Sequence, residues 1–276
     1  MQKIRKPAVQ GKFYPAQKEE IDDILEMALY RENPDSKKFS ESKIIGGIVP
    51  HAGYIFSAYQ AVHFFQILKN SKQIFDTILI INPNHTGLGV NMAIDNHTAW
   101  KTPYGEVEID LEFAHNLQLP FDSEAHKYEH SGEVILPMLQ YFLNYPFKIV
   151  PICMLHQTTE NARLLAEKII TAKEKSNKNI LLIASSDFSH FLSPQKSKTL
   201  DDLVVENILQ LNEKGVTDVV KKNNISVCGH GAISTLLYYS KLCSKNPKIE
   251  MLKRGHSGLV MPSEEVVNYI SFLSFE

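Results

Sequence analysis

Short unbroken apolar runs alternate with amphipathic stretches along most of the chain. Ile21, Ile24, Leu25, Ala28 and Leu29 recur at helical spacing, which predicts a helix over Gln17–Tyr30. The polar segment Arg31–Ser42, with Pro34 inside it, reads as a loop. Lys43–Val49, Thr77–Ile81 and Asn179–Ala184 are apolar on successive rather than alternate residues, so these strands are expected to be buried on both faces. Ser57–Leu68 follows the first of them as a helix. Trp100–Gly105 reads as a turn into a short strand at Glu106–Ile109, and Lys148–Met154 as a further buried strand. Thr158–Lys175 and Gly231–Leu242 have helical periodicity, and Val266–Phe275 closes the chain as a strand. Strands alternating with helices predict an α/β fold, a mixed, mainly parallel sheet between helical layers. No linker or low-complexity stretch interrupts the series, so residues 1–276 read as one domain.

Composition narrows the function classes. The chain has 276 residues, enough for a sizeable core, with 29 Lys and Arg against 31 Asp and Glu. That balance leaves no broad basic field for a nucleic-acid backbone. The longest strictly apolar run, Ile180–Ala184, is far short of the roughly 20 residues a spanning helix needs, so no membrane span is expected. Met1–Pro15 lacks the apolar core of a signal peptide. Three cysteines, Cys153, Cys228 and Cys243, are too few for a disulfide framework. A reducing, cytoplasmic location is the expectation.

Eleven histidines are many for such a chain, and their placement gives them meaning. Three predicted strands end in loops that carry one each: His51 in Pro50-His51-Ala52-Gly53-Tyr54, His85 in Asn84-His85-Thr86-Gly87, and His190 in Ser185-Ser186-Asp187-Phe188-Ser189-His190. Loops beyond the carboxyl ends of strands form the ligand crevice of open α/β sheets. Cys228 lies just before a predicted helix, where the helix dipole favours a thiolate. Two imidazoles and one thiolate or carboxylate, with positions left open, make a catalytic rather than a structural metal site. Asp187 is spaced to orient His190, which then serves as acid or base rather than as ligand. No HExxH or paired CxxC supports a local metal motif. Ordinary roles compete: loop histidines such as His63, His97, His115 and His156 read as hydrogen-bonded or surface residues, Cys153 and Cys243 as small hydrophobes, and Asp187 as a turn residue. Glu129-His130-Ser131 with Glu133 reads either as a helix start or as a pocket lining.

The motifs Lys6-Pro7-Ala8-Val9, Gly11-Lys12-Phe13-Tyr14-Pro15, Pro50-His51-Ala52-Gly53-Tyr54, Asn84-His85-Thr86-Gly87, Trp100-Lys101-Thr102-Pro103, Glu129-His130-Ser131, Ser185–His190 and Cys228-Gly229 together resemble the Memo family. Its bacterial and archaeal members are the B component of the AmmeMemoRadiSam system. The resemblance implies a fold similar to the catalytic subunit of class III extradiol dioxygenases, which hold non-haem iron(II). By position, His51 and His85 match two imidazole ligands, and Cys228 stands where the dioxygenases use glutamate. His190 matches their acid/base histidine, accompanied by Asp187. Tyr54, Glu129 and His130 are expected to contact a small-molecule substrate. The softer thiolate makes copper or zinc alternatives to iron. The family context also suggests an AMMECR1-like protein and a radical SAM enzyme as partners, and with them a non-catalytic scaffold role; zinc-assisted hydrolysis is a third reading. The sequence departs from the family pattern at Phe56-Ser57-Ala58, at Gly132 and at His256-Ser257-Gly258-Leu259.

Overall fold

The computed structural model describes residues 3–276; Met1 and Gln2, the start of the Met1–Pro15 segment, lie outside the described residues. From the N-terminus the elements are β1 (Ile4–Arg5), α1 (Lys18–Glu32), β2 (Ile44–Val49), α2 (Tyr54–Asn70), β3 (Thr77–Pro83), β4 (Met92–Ile94), β5 (Ala99–Thr102) and β6 (Gly105–Glu108). Then follow α3 (Leu111–Asn116), α4 (Ile135–Phe142), β7 (Lys148–Met154), α5 (Thr159–Ser176), β8 (Ile180–Ser185) and β9 (His190–Leu192). The chain ends with α6 (Pro194–Leu209), α7 (Glu213–Asn223), α8 (His230–Cys243), β10 (Lys248–His256) and β11 (Val266–Phe275).

The main sheet has the order β10-β11-β2-β8-β3-β7-β4, with β9 paired to β11. β2, β8, β3 and β7 run parallel, while β11 and β10 on one flank and β4 on the other are antiparallel. Within this sheet parallel pairing between strands is therefore confined to the centre. A small sheet, β1-β5-β6, stands apart. The unbroken apolar runs have the expected cause. In β3, Leu79 and Ile81 face one core with residues of α3, α5, α6, α7 and α8, while Ile78 and Ile80 face a second core with residues of α1, α2 and α4. β8 divides in the same way, with Leu182 and Ala184 opposed to Leu181 and Ile183. Successive side chains of a strand point to opposite faces, so two covered faces require continuous hydrophobicity. Gly47 in β2 lets α2 approach closely: a Cβ there would lie 2.2 Å from the Phe64 ring.

The elements read from sequence lie within about three residues of those observed, a normal uncertainty at element ends. Trp100–Thr102, expected in a turn, belongs to strand β5, and β1, β4, β9, β10, α3, α6 and α7 are not among the predicted elements. Val204, Val205 and Ile208 in α6, and Val216 and Val220 in α7, are buried at helical spacing, a signal present in the sequence. β10 mixes Lys, Glu and Arg with its apolar residues, as edge strands commonly do, and so lacks a buried-strand pattern. No described helix is long and apolar enough to cross a membrane.

β2, β8 and β3 are neighbours and parallel, so their C-terminal loops leave the sheet side by side. That adjacency brings together His51, the 186–190 segment and His85.

Candidate metal centre

His51 follows β2 directly and is almost wholly buried. Its backbone N–H donates to Asp187 Oδ1 at 2.8 Å, which fixes the loop. Its Nδ1 lies 2.8 Å from Ser185 Oγ at the end of β8. The Ser185 hydroxyl proton is committed to the Ser131 carbonyl at 2.7 Å, so Ser185 must accept from His51. The network therefore assigns the Nδ1–H tautomer and leaves Nε2 with a free lone pair. That Nε2 is 3.2 Å from Cys228 Sγ.

His85, after β3, is set by the same logic. Its Nδ1 is 2.9 Å from Glu129 Oε1, and its backbone N–H donates to Glu129 Oε2 at 2.6 Å. Glu129 also accepts from the backbone N–H groups of His130 and Ser131 and from the Ser131 hydroxyl. Burial alone raises this carboxyl, but the bonds from His85 and Ser131 outweigh it and hold it well below the usual carboxylate range. A carboxylate facing His85 Nδ1 makes that nitrogen the donor and frees Nε2. One short segment, Glu129–Ser131, thus orients both imidazoles: Ser131 through Ser185 for His51, and Glu129 for His85.

Cys228 precedes α8, which packs on β8 and β2. Gly229 permits this position, since a Cβ there would lie 2.3 Å from the Ser185 carbonyl oxygen. The Cys228 sulfur accepts from the Asp187 backbone N–H at 3.1 Å. Burial, with Asp187 beside it, pushes the thiol well above its ordinary value, so the thiolate needs a cation here. One ligating atom each from His51, His85 and Cys228 lies within 4.8 Å of the others. Nitrogen and sulfur donors on one tetrahedral ion at ordinary bond lengths stand about 3.6 Å apart, so the set fits a metal. Burial, with His130 and His85 adjoining, holds the His51 imidazole well below its usual value and keeps it neutral, as a ligand must be.

The other expected residues are placed as follows. His130 stacks on His85 with centroids 4.7 Å apart, lies 5.4 Å from the His51 ring, and touches Phe13 at 4.6 Å. His85, Glu129 and His130 form a second group with ligating atoms within 4.8 Å of one another. Asp187 does not orient His190. Its carboxylate accepts from the His51 backbone, and burial raises it to about 7. The His190 ring is instead held through Nδ1 by the Ser226 carbonyl at 2.8 Å, and its backbone N–H by Ser226 Oγ at 2.8 Å. Spacing could not reveal that partner, because Ser226 lies in a different loop. His190 remains close enough for its charge to disfavour protonation of His51. Tyr54 corrects another expectation: it is fully buried, its hydroxyl donates to the Val134 carbonyl at 2.7 Å, and its place is in the core.

Sequence reasoning missed Ser131, Ser185 and Ser226 as orienting groups, and Arg5 with Glu133. The buried Glu133 carboxylate receives Arg5 at 2.6 Å, Tyr14 Oη at 2.8 Å and the backbone N–H groups of Ala8 and Val9. Arg5 also donates to the His126 and Glu129 carbonyls and lies over the Trp100 ring. This ties the N-terminal motif to the segment that aims both imidazoles. Buried Asp201 of α6 likewise anchors the 187–190 loop, accepting from the Ser189 backbone and hydroxyl and from Asn268.

The depressed Glu129 carboxyl carries a pH prediction. Its folded value lies below the unfolded one, so its contribution is present above about pH 4.3 and is lost as pH falls. The metal-free Glu129→Gln protein is expected to show a shallower loss of stability on acidification than the wild type, measured by urea unfolding at stepped pH. Parallel acid limbs would contradict the assignment.

Fold and site together define an α/β protein with a potential metal centre of two histidines and one cysteine at the ends of parallel strands. The family described as Memo-like protein matches residues 5–273, and the chain belongs to the Memo family. A MEMO1 family protein of Archaeoglobus fulgidus is 38% identical over 269 residues, 96% of this chain and 97% of that one. A MEMO1 family protein of Methanosarcina mazei is 36% identical over 274 residues, 98% of each chain, and one of Sulfurisphaera tokodaii is 38% identical over 281 residues, 97% and 98%. A crystal structure of an uncharacterized protein, JW3007, from Escherichia coli K12 is similar at TM-score 0.49 and 15% identity, over 76% of this chain and 91% of that one.

Proposed function

We propose that His51, His85 and Cys228 hold one catalytic non-haem metal ion, and that the site performs redox or dioxygenase-like chemistry on a small molecule. Iron(II) is the first expectation, with copper or zinc as alternatives. The observation that carries this reading is the convergence of two imidazoles, each with Nε2 left free by its hydrogen bonds, on one half-buried thiol. Three protein ligands leave positions open, as catalytic sites require.

A bound iron or copper ion supplies electron-transfer chemistry, and zinc a Lewis acid. The chain contributes the rest. Glu129 and Ser185 engage Nδ1 of the two imidazoles and leave Nε2 of each as the donor atom. With Nδ1 committed to Ser226, His190 is left with Nε2 to take or give a proton at the pocket. His130 packs its ring against both ligating imidazoles.

Metal content of anaerobically purified protein, by plasma emission spectrometry, tests this directly when paired with oxygen uptake on a panel of catechols and thiols. About one transition-metal ion per chain and uptake with one substrate class are expected. A filled site with no uptake on any of them would favour the scaffold reading, with AMMECR1-like and radical SAM partners. No stoichiometric metal would contradict both the ligand set and the chemistry.

A further inference from the structure

We propose that Phe191 is a specificity-determining residue that seats a flat apolar group of the molecule bound at the metal centre. The proposal rests on the metal-site reading above and deepens it by naming a substrate class: a polar, metal-chelating head on an aromatic or similarly planar apolar body.

Three observations coincide at this residue. In the β9–β11 pair, Leu192 is opposite Val266 and His190 is opposite Val267, so Phe191 is the extra residue of a β-bulge. Its φ is 56°, in the left-handed region where bulges usually place glycine and where a bulky side chain is strained. The residue is 70% exposed, and its ring lies 5.9 Å from the His190 ring. Folding alone selects against both the strain and the bare aromatic surface, and glycine would remove both at once. Strain retained next to a candidate proton-transfer residue points to a use there, and bulges beside active sites re-aim a side chain. Here the neighbouring His190 is pinned to Ser226 through both its ring and its backbone N–H. The bulge therefore holds an aromatic surface in a fixed relation to the proposed proton-transfer group. A ligand chelated at the metal and projecting a planar group past His190 would cover it.

Acetohydroxamate and benzohydroxamate share one chelating head and differ in a phenyl ring, so they isolate this contact. Affinity is measured by calorimetry on zinc-loaded protein, for the wild type and for Phe191→Gly. In the wild type benzohydroxamate is expected to bind about threefold to tenfold tighter, the value of one aromatic contact. In Phe191→Gly that advantage should vanish, while acetohydroxamate affinity, zinc stoichiometry and melting temperature hold or rise. An advantage that survives the substitution would overturn the proposal. A melting temperature lowered by several degrees would also overturn it, by showing that the ring serves the fold. If neither hydroxamate binds the zinc-loaded wild type, the open coordination position is absent, and the metal-site reading falls together with the proposal.

Discussion

Replacing Glu133 by alanine is expected to cost about 3–5 kcal/mol of unfolding free energy, the usual penalty for stranding a buried charge. The pair lies out of water, at 3% and 1% exposure, so the Arg5 guanidinium loses its counter-charge where little solvent can replace it. Tyr14 Oη and the N–H groups of Ala8 and Val9 lose their acceptor as well. Urea denaturation should report the loss as a lower midpoint at unchanged slope. Glu133→Gln, which keeps an acceptor oxygen but not the charge, should fall between. A change below about 1 kcal/mol in the alanine variant, the range of exposed pairs, would show that the N-terminal segment is not locked by this carboxylate. Because the same lock ties down Glu129–Ser131, the alanine variant should also bind metal more weakly than its folded fraction accounts for.

His51→Ala should remove bound metal altogether. The substitution takes away the imidazole whose Nε2 faces Cys228 Sγ and leaves His85 and the thiol as a two-ligand remnant. A ligand that binds only the folded state stabilises it by mass action, by about 2.7 kcal/mol at a concentration of 100 Kd. Added zinc should therefore raise the wild-type melting temperature and leave that of His51→Ala where it was. Retention of stoichiometric metal by the variant would remove His51 from the ligand set. The metal-free variant should remain folded, because the β2–β8–β3 core does not depend on this loop residue.

The parts of this arrangement differ in how far they can be read from sequence, for physical reasons. A strand covered on both faces must be apolar at every position, so β2, β3, β7 and β8 stand out, and a histidine at the end of such a run is conspicuous. Parallel neighbours then bring His51 and His85 together, and Cys228 joins them through α8 packed on the same strands. The groups that aim those side chains are not conspicuous. Ser185 is the last residue of an apolar strand, Ser131 looks like a helix-start residue, and Ser226 resembles any loop serine. Glu133 fits a helix cap equally well until the fold places Arg5 beside it from 128 residues away. Asp187 shows the opposite error: nearness in sequence suggested a partner in His190, whereas its carboxylate serves the His51 backbone. Tyr54 misled for a related reason. It adjoins His51 in the chain, but the start of α2 turns it into the core.

One ion held jointly by two imidazoles and a sulfur has a distinct coordination signature. X-ray absorption at the metal edge of zinc-loaded protein tests it most directly. The expected spectrum has one sulfur neighbour at about 2.3 Å and nitrogen neighbours at about 2.0–2.1 Å, with the sulfur lost in Cys228→Ser. A wild-type spectrum with only nitrogen and oxygen neighbours would contradict it.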